Sequence, residues 1–203
     1  MSRGLGDVYK RQNLGGFSTD FSSSAAGRAT NVKNACSLIN GSVIYPGEQF
    51  SVYEAISPIT TDNGYQIAGA YENGQVVDSV GGGVCQVATT LYNAVIRAEL
   101  DIVQRYNHSM IVSYVKPSDD AAIAGTYKDL KFKNNLDNPV YIGAIAVEEL
   151  LPSMCTEWRR DPQTGKFPSG VRHFPRRIRS RSLILMQVSR SVISTPSSLH
   201  TRE

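Results

Sequence analysis

GGGVCQVATTLYNAVIRAELDIVQRYNHSMIVSYV, residues 81–115, decides how this chain reads. Three glycines lead into Cys85, and from there to about Glu99 apolar residues recur at helical spacing: Ala88, Leu91, Tyr92, Val95 and Ala98. No Gly or Pro interrupts the run, so the spacing predicts a helix over 85–99. A thiol at that helix start would meet unpaired backbone N–H groups and the positive end of the helix dipole, both of which favour thiolate over thiol. The glycines before it, Gly81, Gly82 and Gly83, would let a substrate approach the backbone closely. With Val84 and Gln86 they form a candidate substrate and oxyanion loop. The competing reading is a buried Cys that merely caps a helix after a flexible loop.

His108 follows Cys85 by 23 positions, room for one helix and a return. It precedes an alternating run, 111–115, that predicts a strand. Such a strand beside the helix could bring the imidazole to the thiol as its base. Asp120 opens the next extended run and is the candidate to orient the ring; Asp119 is its neighbour, and on a strand the two would point opposite ways. Cys on a helix, then His and an acid on following strands, is a papain-like order of elements. The other two histidines, His173 and His200, lie in a segment of different character.

Outward from this stretch, Ser22, Ser23 and Ser24 offer N-caps to a helix through about Asn40, stopped by Gly41. Short strands are expected at 43–45 and 50–52. Asn73-Gly74 between 67–71 and 75–78 is a hairpin signal, and further strands are expected at 102–104, 130–133 and 140–146. Strands gathered around a central helix predict an α+β fold with a mainly antiparallel sheet.

The 203 residues, 41% hydrophobic, suffice for one domain, which the pattern bounds at 13–149. Residues 1–12 (MSRGLGDVYKRQ) lack apolar periodicity, look non-native and are expected to be disordered. Residues 150–203 carry ten Lys or Arg against three Asp or Glu, whereas residues 1–150 carry eleven against fifteen. That reversal of sign sets the basic, low-order tail apart. It reads as a binder of anionic polymer, a disordered appendage or a shifted reading frame; we favour the last, and expect no nucleic-acid partner. Three cysteines without a CxxC pair give neither a disulfide framework nor a structural zinc site. No metal or cofactor is expected. No stretch of about 18 apolar residues exists to span a membrane, and oligomeric state is left open.

Residues 81–115, together with SSSAAGRATNVKNACSLINGSVIYPGEQFSV (22–52) and DLKFKNNLDNPVYI (129–142), resemble the VanW-like family. The similarity covers about 14–146 and its signature is long and unusual. The family takes its name from vancomycin-resistance gene clusters; its members are usually envelope proteins, and some act as L,D-transpeptidases that cross-link peptidoglycan through a Cys nucleophile. The resemblance implies an extracytoplasmic envelope location and peptidoglycan stem peptides as partners. It also implies Cys85 as nucleophile and His108 as base, with Asp120 matching the Asp in the loop after the His. The chain departs at Asp119, where the family often has Arg, and at Glu99, where it often has Gly. Beyond 146 the family continues with another strand pair, which this chain is expected to lack. A binding module for wall peptides or a glycopeptide, without chemistry, is the competing function.

Overall fold

The glycine run does lead into a helix, and two helices on one sheet organise everything around it. A computed structural model describes residues 10–72, 74–147 and 183–192. In chain order the elements are β1 (Lys10–Asp20), α1 (Ala26–Ile39), β2 (Val43–Ile44), β3 (Gln49–Ser51), α2 (Val52–Ile56), a 3-10 turn (Thr61–Asn63), β4 (Ile67–Glu72), β5 (Gln75–Val80), α3 (Val84–Arg97), β6 (Asp101–Gln104), β7 (Lys131–Lys133), β8 (Val140–Val147) and β9 (Leu183–Val192). Every ladder between these strands is antiparallel. They form a four-stranded sheet in the order β1-β9-β8-β2, a three-stranded sheet β3-β7-β6 and the β4-β5 hairpin. The architecture is α+β, as the sequence led us to expect.

Alternation sets which face of the main sheet is covered. Val140, Ile142 and Ala144 of β8 and Ile184, Met186 and Val188 of β9 are buried, while Ile145 and Gln187 face out. Helix α1 packs on β8, α3 packs on β1 and β9, and the helices touch each other. Val32, Ala35, Cys36 and Ile39 of α1 and Val87, Leu91, Ala94 and Val95 of α3 fill the layer between. At Gly15 the backbone of β1 lies so close to α3 that an added Cβ would sit 2.5 Å from the Ala94 carbonyl oxygen.

Several expectations need correction. Lys10–Gln12 belong to β1, so the presumed leader enters the sheet. Residues 183–192, assigned to a low-order tail, form β9 between β1 and β8. Three of its side chains, Ile184, Met186 and Val188, are fully buried in the main core, against a shifted reading frame across this stretch. The remaining residues of the leader and tail lie outside the described residues. Helix α1 begins at Ala26, not at the serines: Ala25 holds the N-cap position without a side-chain hydrogen bond, and Ser24 Oγ accepts from Arg28 instead. The expected strand at 111–115 is absent. Val112 is buried and Ile111 largely exposed, but no neighbouring strand pairs with them. His108 and Asp120 therefore lie on irregular backbone, and the papain-like order of elements does not appear.

Candidate functional site

Helix α3 starts at Val84 after Gly83 in a left-handed conformation (φ 113°) and ends at Arg97, with Glu99 also left-handed beyond it. Side chains at i, i+4 and i+8 share a helix face, and here that face is polar: Cys85, Thr89 and Asn93. Each grips the backbone of segment 119–123. Cys85 Sγ lies 3.4 Å from both the N–H and the carbonyl oxygen of Ile123, accepting from one and donating to the other. Thr89 Oγ1 accepts from the Ala121 N–H at 2.9 Å and donates to the Ala121 carbonyl at 3.2 Å. Asn93 Nδ2 donates to the Asp119 carbonyl at 2.7 Å.

Odd residues of this segment thus bond to the helix, and even residues bond the other way, to 105–108. The Ala122 N–H donates to the Tyr106 carbonyl. The Asp120 carboxylate accepts from the backbone N–H of His108 at 2.6 Å, and the same oxygen lies 2.6 Å from His108 Nδ1. Arg105 donates to the other oxygen at 3.0 Å, to the Asp120 carbonyl and to the Ser118 carbonyl. Desolvation alone would raise the Asp120 carboxyl, but the His108 N–H and ring and the Arg105 guanidinium outweigh it and hold it below the usual carboxylate range. An ionised Asp120 requires His108 Nδ1 to donate, which in the neutral ring makes Nε2 the acceptor. The imidazole is itself buried, with Tyr71 edge-on to it at 6.3 Å.

The structure therefore brings His108 and Asp120 into direct contact. Asp119 contributes only its backbone, to Asn93 and to Lys116. It does not join Cys85 to His108 by a hydrogen bond: the thiol is engaged with Ile123. Nor is the thiol pushed toward thiolate by its place on α3. Desolvation raises it above its ordinary value, with a smaller contribution from Asp120; the Ile123 N–H and the charges of Arg28 and Lys128 oppose the rise without overcoming it. Cys36 is buried in α1, and desolvation pushes its thiol up to about 12.

The glycine loop has a packing role that the sequence reading did not foresee. Gly81, Gly82 and Val84 are buried. A Cβ on Gly82 would sit 2.4 Å from the Ala68 carbonyl oxygen, and one on Gly81 2.3 Å from Ile59 Cγ2. Asn31 of α1 donates to the carbonyls of both Gly82 and Gln66, locking the loop to the β4–β5 hairpin. Gln86 likewise points inward, donating to Thr19 Oγ1 and the Asp20 carbonyl and accepting from Arg28. These residues fit close backbone packing rather than an open groove. A concavity of about 290 Å³ is bordered by Arg105, His108, Met110, Val112, Lys116 and Asp120.

Sequence reasoning missed four residues: Thr89, Asn93, Arg105 and Tyr114. Burial, with the neighbouring Cys85, raises the Tyr114 phenol, which also meets the Thr89 hydroxyl and the charge of Arg28. The i, i+4, i+8 spacing of Cys85, Thr89 and Asn93 was available as a signal; the contacts of Arg105 and Tyr114 were not. No helix among the described residues is long and apolar enough to cross a membrane.

Comparison with known families places most of the described chain in one family. The family described as "VanW like protein" matches residues 27–153, which include Cys85, His108 and Asp120. The chain is 40% identical over 133 residues to "Uncharacterized protein YoaR" of Bacillus subtilis (strain 168), covering 66% of this chain and 44% of that protein. It is 31% identical over 113 residues to "Vancomycin B-type resistance protein VanW" of Enterococcus faecalis (strain ATCC 700802 / V583), covering 53% of this chain and 41% of that protein. The chain thus spans less than half the length of either curated relative. No solved structure matches.

Proposed function

Because the chain belongs to the VanW-like family, we propose that it is the site-bearing part of a cell-envelope protein that transfers acyl groups between peptidoglycan stem peptides, as an L,D-transpeptidase does. The observation that carries this reading is the buried His108–Asp120 pair, with Nδ1 held at 2.6 Å, in the segment whose Ile123 backbone also holds the Cys85 thiol. An imidazole oriented by a carboxylate, together with a thiol, is the pair of groups that nucleophilic acyl transfer needs. Family membership, with a relative named for vancomycin resistance, is what leads us to read wall peptides as the substrate class.

In the proposed reaction the thiol leaves Ile123, gives its proton to His108 Nε2 and attacks the carbonyl carbon preceding a terminal D-residue. The C–N bond breaks as His108 returns that proton to the leaving amine, and a thioester remains on Cys85. An amine of a second stem, or water, then attacks the thioester, loses its proton to His108 and regenerates the thiol. Asp120 keeps the ring in the required tautomer throughout and stabilises its charged form.

A second reading, a binding module for wall peptides, draws on a specific observation: the resting thiol is tied to Ile123 and held above its ordinary pKa. Incubating the protein with muropeptides and weighing the products separates the two. Cross-linked or shortened stems that disappear with Cys85→Ala support transfer. Unaltered muropeptides that nevertheless bind would leave the binding module.

A further inference from the structure

Arg28 was given no role by the sequence, yet it is built into the wall beside Cys85. Its stem runs under the glycine loop, where a Cβ on Gly83 would lie 2.9 Å from Arg28 Cγ. Its guanidinium donates to Ser24 Oγ at 2.6 Å and to Gln86 Oε1 at 2.7 Å. Gln86 directly follows Cys85 and is itself clamped by Thr19 and Asp20, so the guanidinium is fixed from both sides.

Both acceptors are neutral. No carboxylate among the described residues pairs with Arg28, and the ionisable groups facing it are Tyr114, Cys85 and Tyr71. A half-buried cation without a counter-charge is unfavourable unless a ligand completes it. Two of its five N–H donors are used, and the remainder of a rigid fork matches the two oxygens of a carboxylate. In a peptide cleaved at its last bond, the terminal carboxylate lies about one residue from the attacked carbonyl, some 3.3–3.6 Å along the chain. Arg28 is bonded to the residue next to Cys85, and its charge acts on the thiol.

We propose that Arg28 is the specificity-determining residue that binds the free terminal carboxylate of the donor peptide, so that the site takes chain ends rather than interior peptide bonds. This rests on the reading of Cys85 as the nucleophile.

The test uses the full chain carrying Cys85→Ala, so that binding is read without turnover, and two stem tetrapeptides identical but for a C-terminal carboxylate or a C-terminal amide. Calorimetry should give about 10- to 100-fold tighter binding of the acid, the range of a charge-assisted bidentate contact. Adding Arg28→Gln should reduce the acid to the amide's affinity, and Arg28→Lys should restore only part of the difference. If Arg28→Gln unfolds the protein, the Nε–Hε resonance of Arg28 in the Cys85→Ala chain takes its place, shifting with acid and not with amide. Equal affinities, no binding of either peptide, equal weakening of both by Arg28→Gln, or an unmoved resonance would overturn the proposal. An acid preference in a protein that forms no product refutes the transfer reading alone. Products formed equally from acid and amide refute this inference alone.

Discussion

On one side of α3 lies the β1-β9-β8-β2 sheet; on the other runs an irregular segment, 105–124, between β6 and β7. The sheet satisfies its backbone through its own ladder, and α3 covers it with Val87, Leu91, Ala94 and Val95. The irregular segment has no such ladder across residues 105–123. Its backbone groups are met one at a time, by Cys85, Thr89 and Asn93 from the helix and by Arg105, Tyr106 and Asp120 from the segment itself. Buried backbone polar groups must find partners, and here side chains supply what a neighbouring strand would. The two sides should therefore fail differently: the sheet side through lost packing, the other through lost alignment of His108, Asp120 and Cys85.

The largest expected effect is on the irregular side and on activity. Cys85→Ala should abolish acyl transfer, and His108→Ala should lower its rate by a factor on the order of 10² or more. Rates measured on muropeptides decide it; transfer that survives Cys85→Ala would remove the thiol from the mechanism.

Next comes the sheet side. Ile184→Ala should cost about 2–5 kcal/mol of stability in denaturant titration, as for other fully buried aliphatics. A cost near zero would mean that β9 does not complete the core in solution.

Asn93→Ala should cost less, about 1–3 kcal/mol, because it leaves the Asp119 carbonyl without its side-chain partner. Its discriminating feature is the second readout: transfer rate should fall further than stability does, since the 119–123 segment carries Asp120. A fall in stability alone would reduce Asn93 to a structural role.

The smallest effect concerns pH. The Asp120 carboxyl is depressed in the folded state from an ordinary value near 3.8, so its contribution is present above that value and lost as pH falls through the lower folded one. Asp120→Asn should flatten the acid limb of the stability profile below about pH 4. An unchanged limb would show the carboxylate unpaired.

How far the sequence carried these conclusions depends on how local the deciding interactions are. Helix α3 and the β4–β5 hairpin were legible because their periodicity and the Asn73-Gly74 turn signal act over a few residues. The terminal strands were not. β1 is rich in polar residues and glycine, and its register exists only against β9, about 170 positions away. The short apolar run Leu183–Val188 of β9 was visible but flanked by arginines that suggested a solvated tail. The 111–115 run failed for the opposite reason: alternation there was real, yet among the described residues no strand pairs with it to make it a sheet. Within the site, His108 and Asp120 were found as residue types at a plausible spacing. The thiol's attachment to Ile123 was invisible because it depends on how a loop folds back 38 positions later. The same distance hid the desolvation that overrides the helix terminus.

The position of β9 between β1 and β8 also constrains how the molecule is made. β8 and β1 share no ladder of their own, so a nascent chain that has emerged through residue 147 holds two unpaired strand edges and an open core beneath α3. Exposed edges of that kind are templates for association with other chains. Assembly of the main sheet has to wait for the most distant pairing in the described structure, which makes closure slow for its size. Synthesis that stalls before residue 183 leaves a species prone to aggregate, and one that would profit from a holding chaperone.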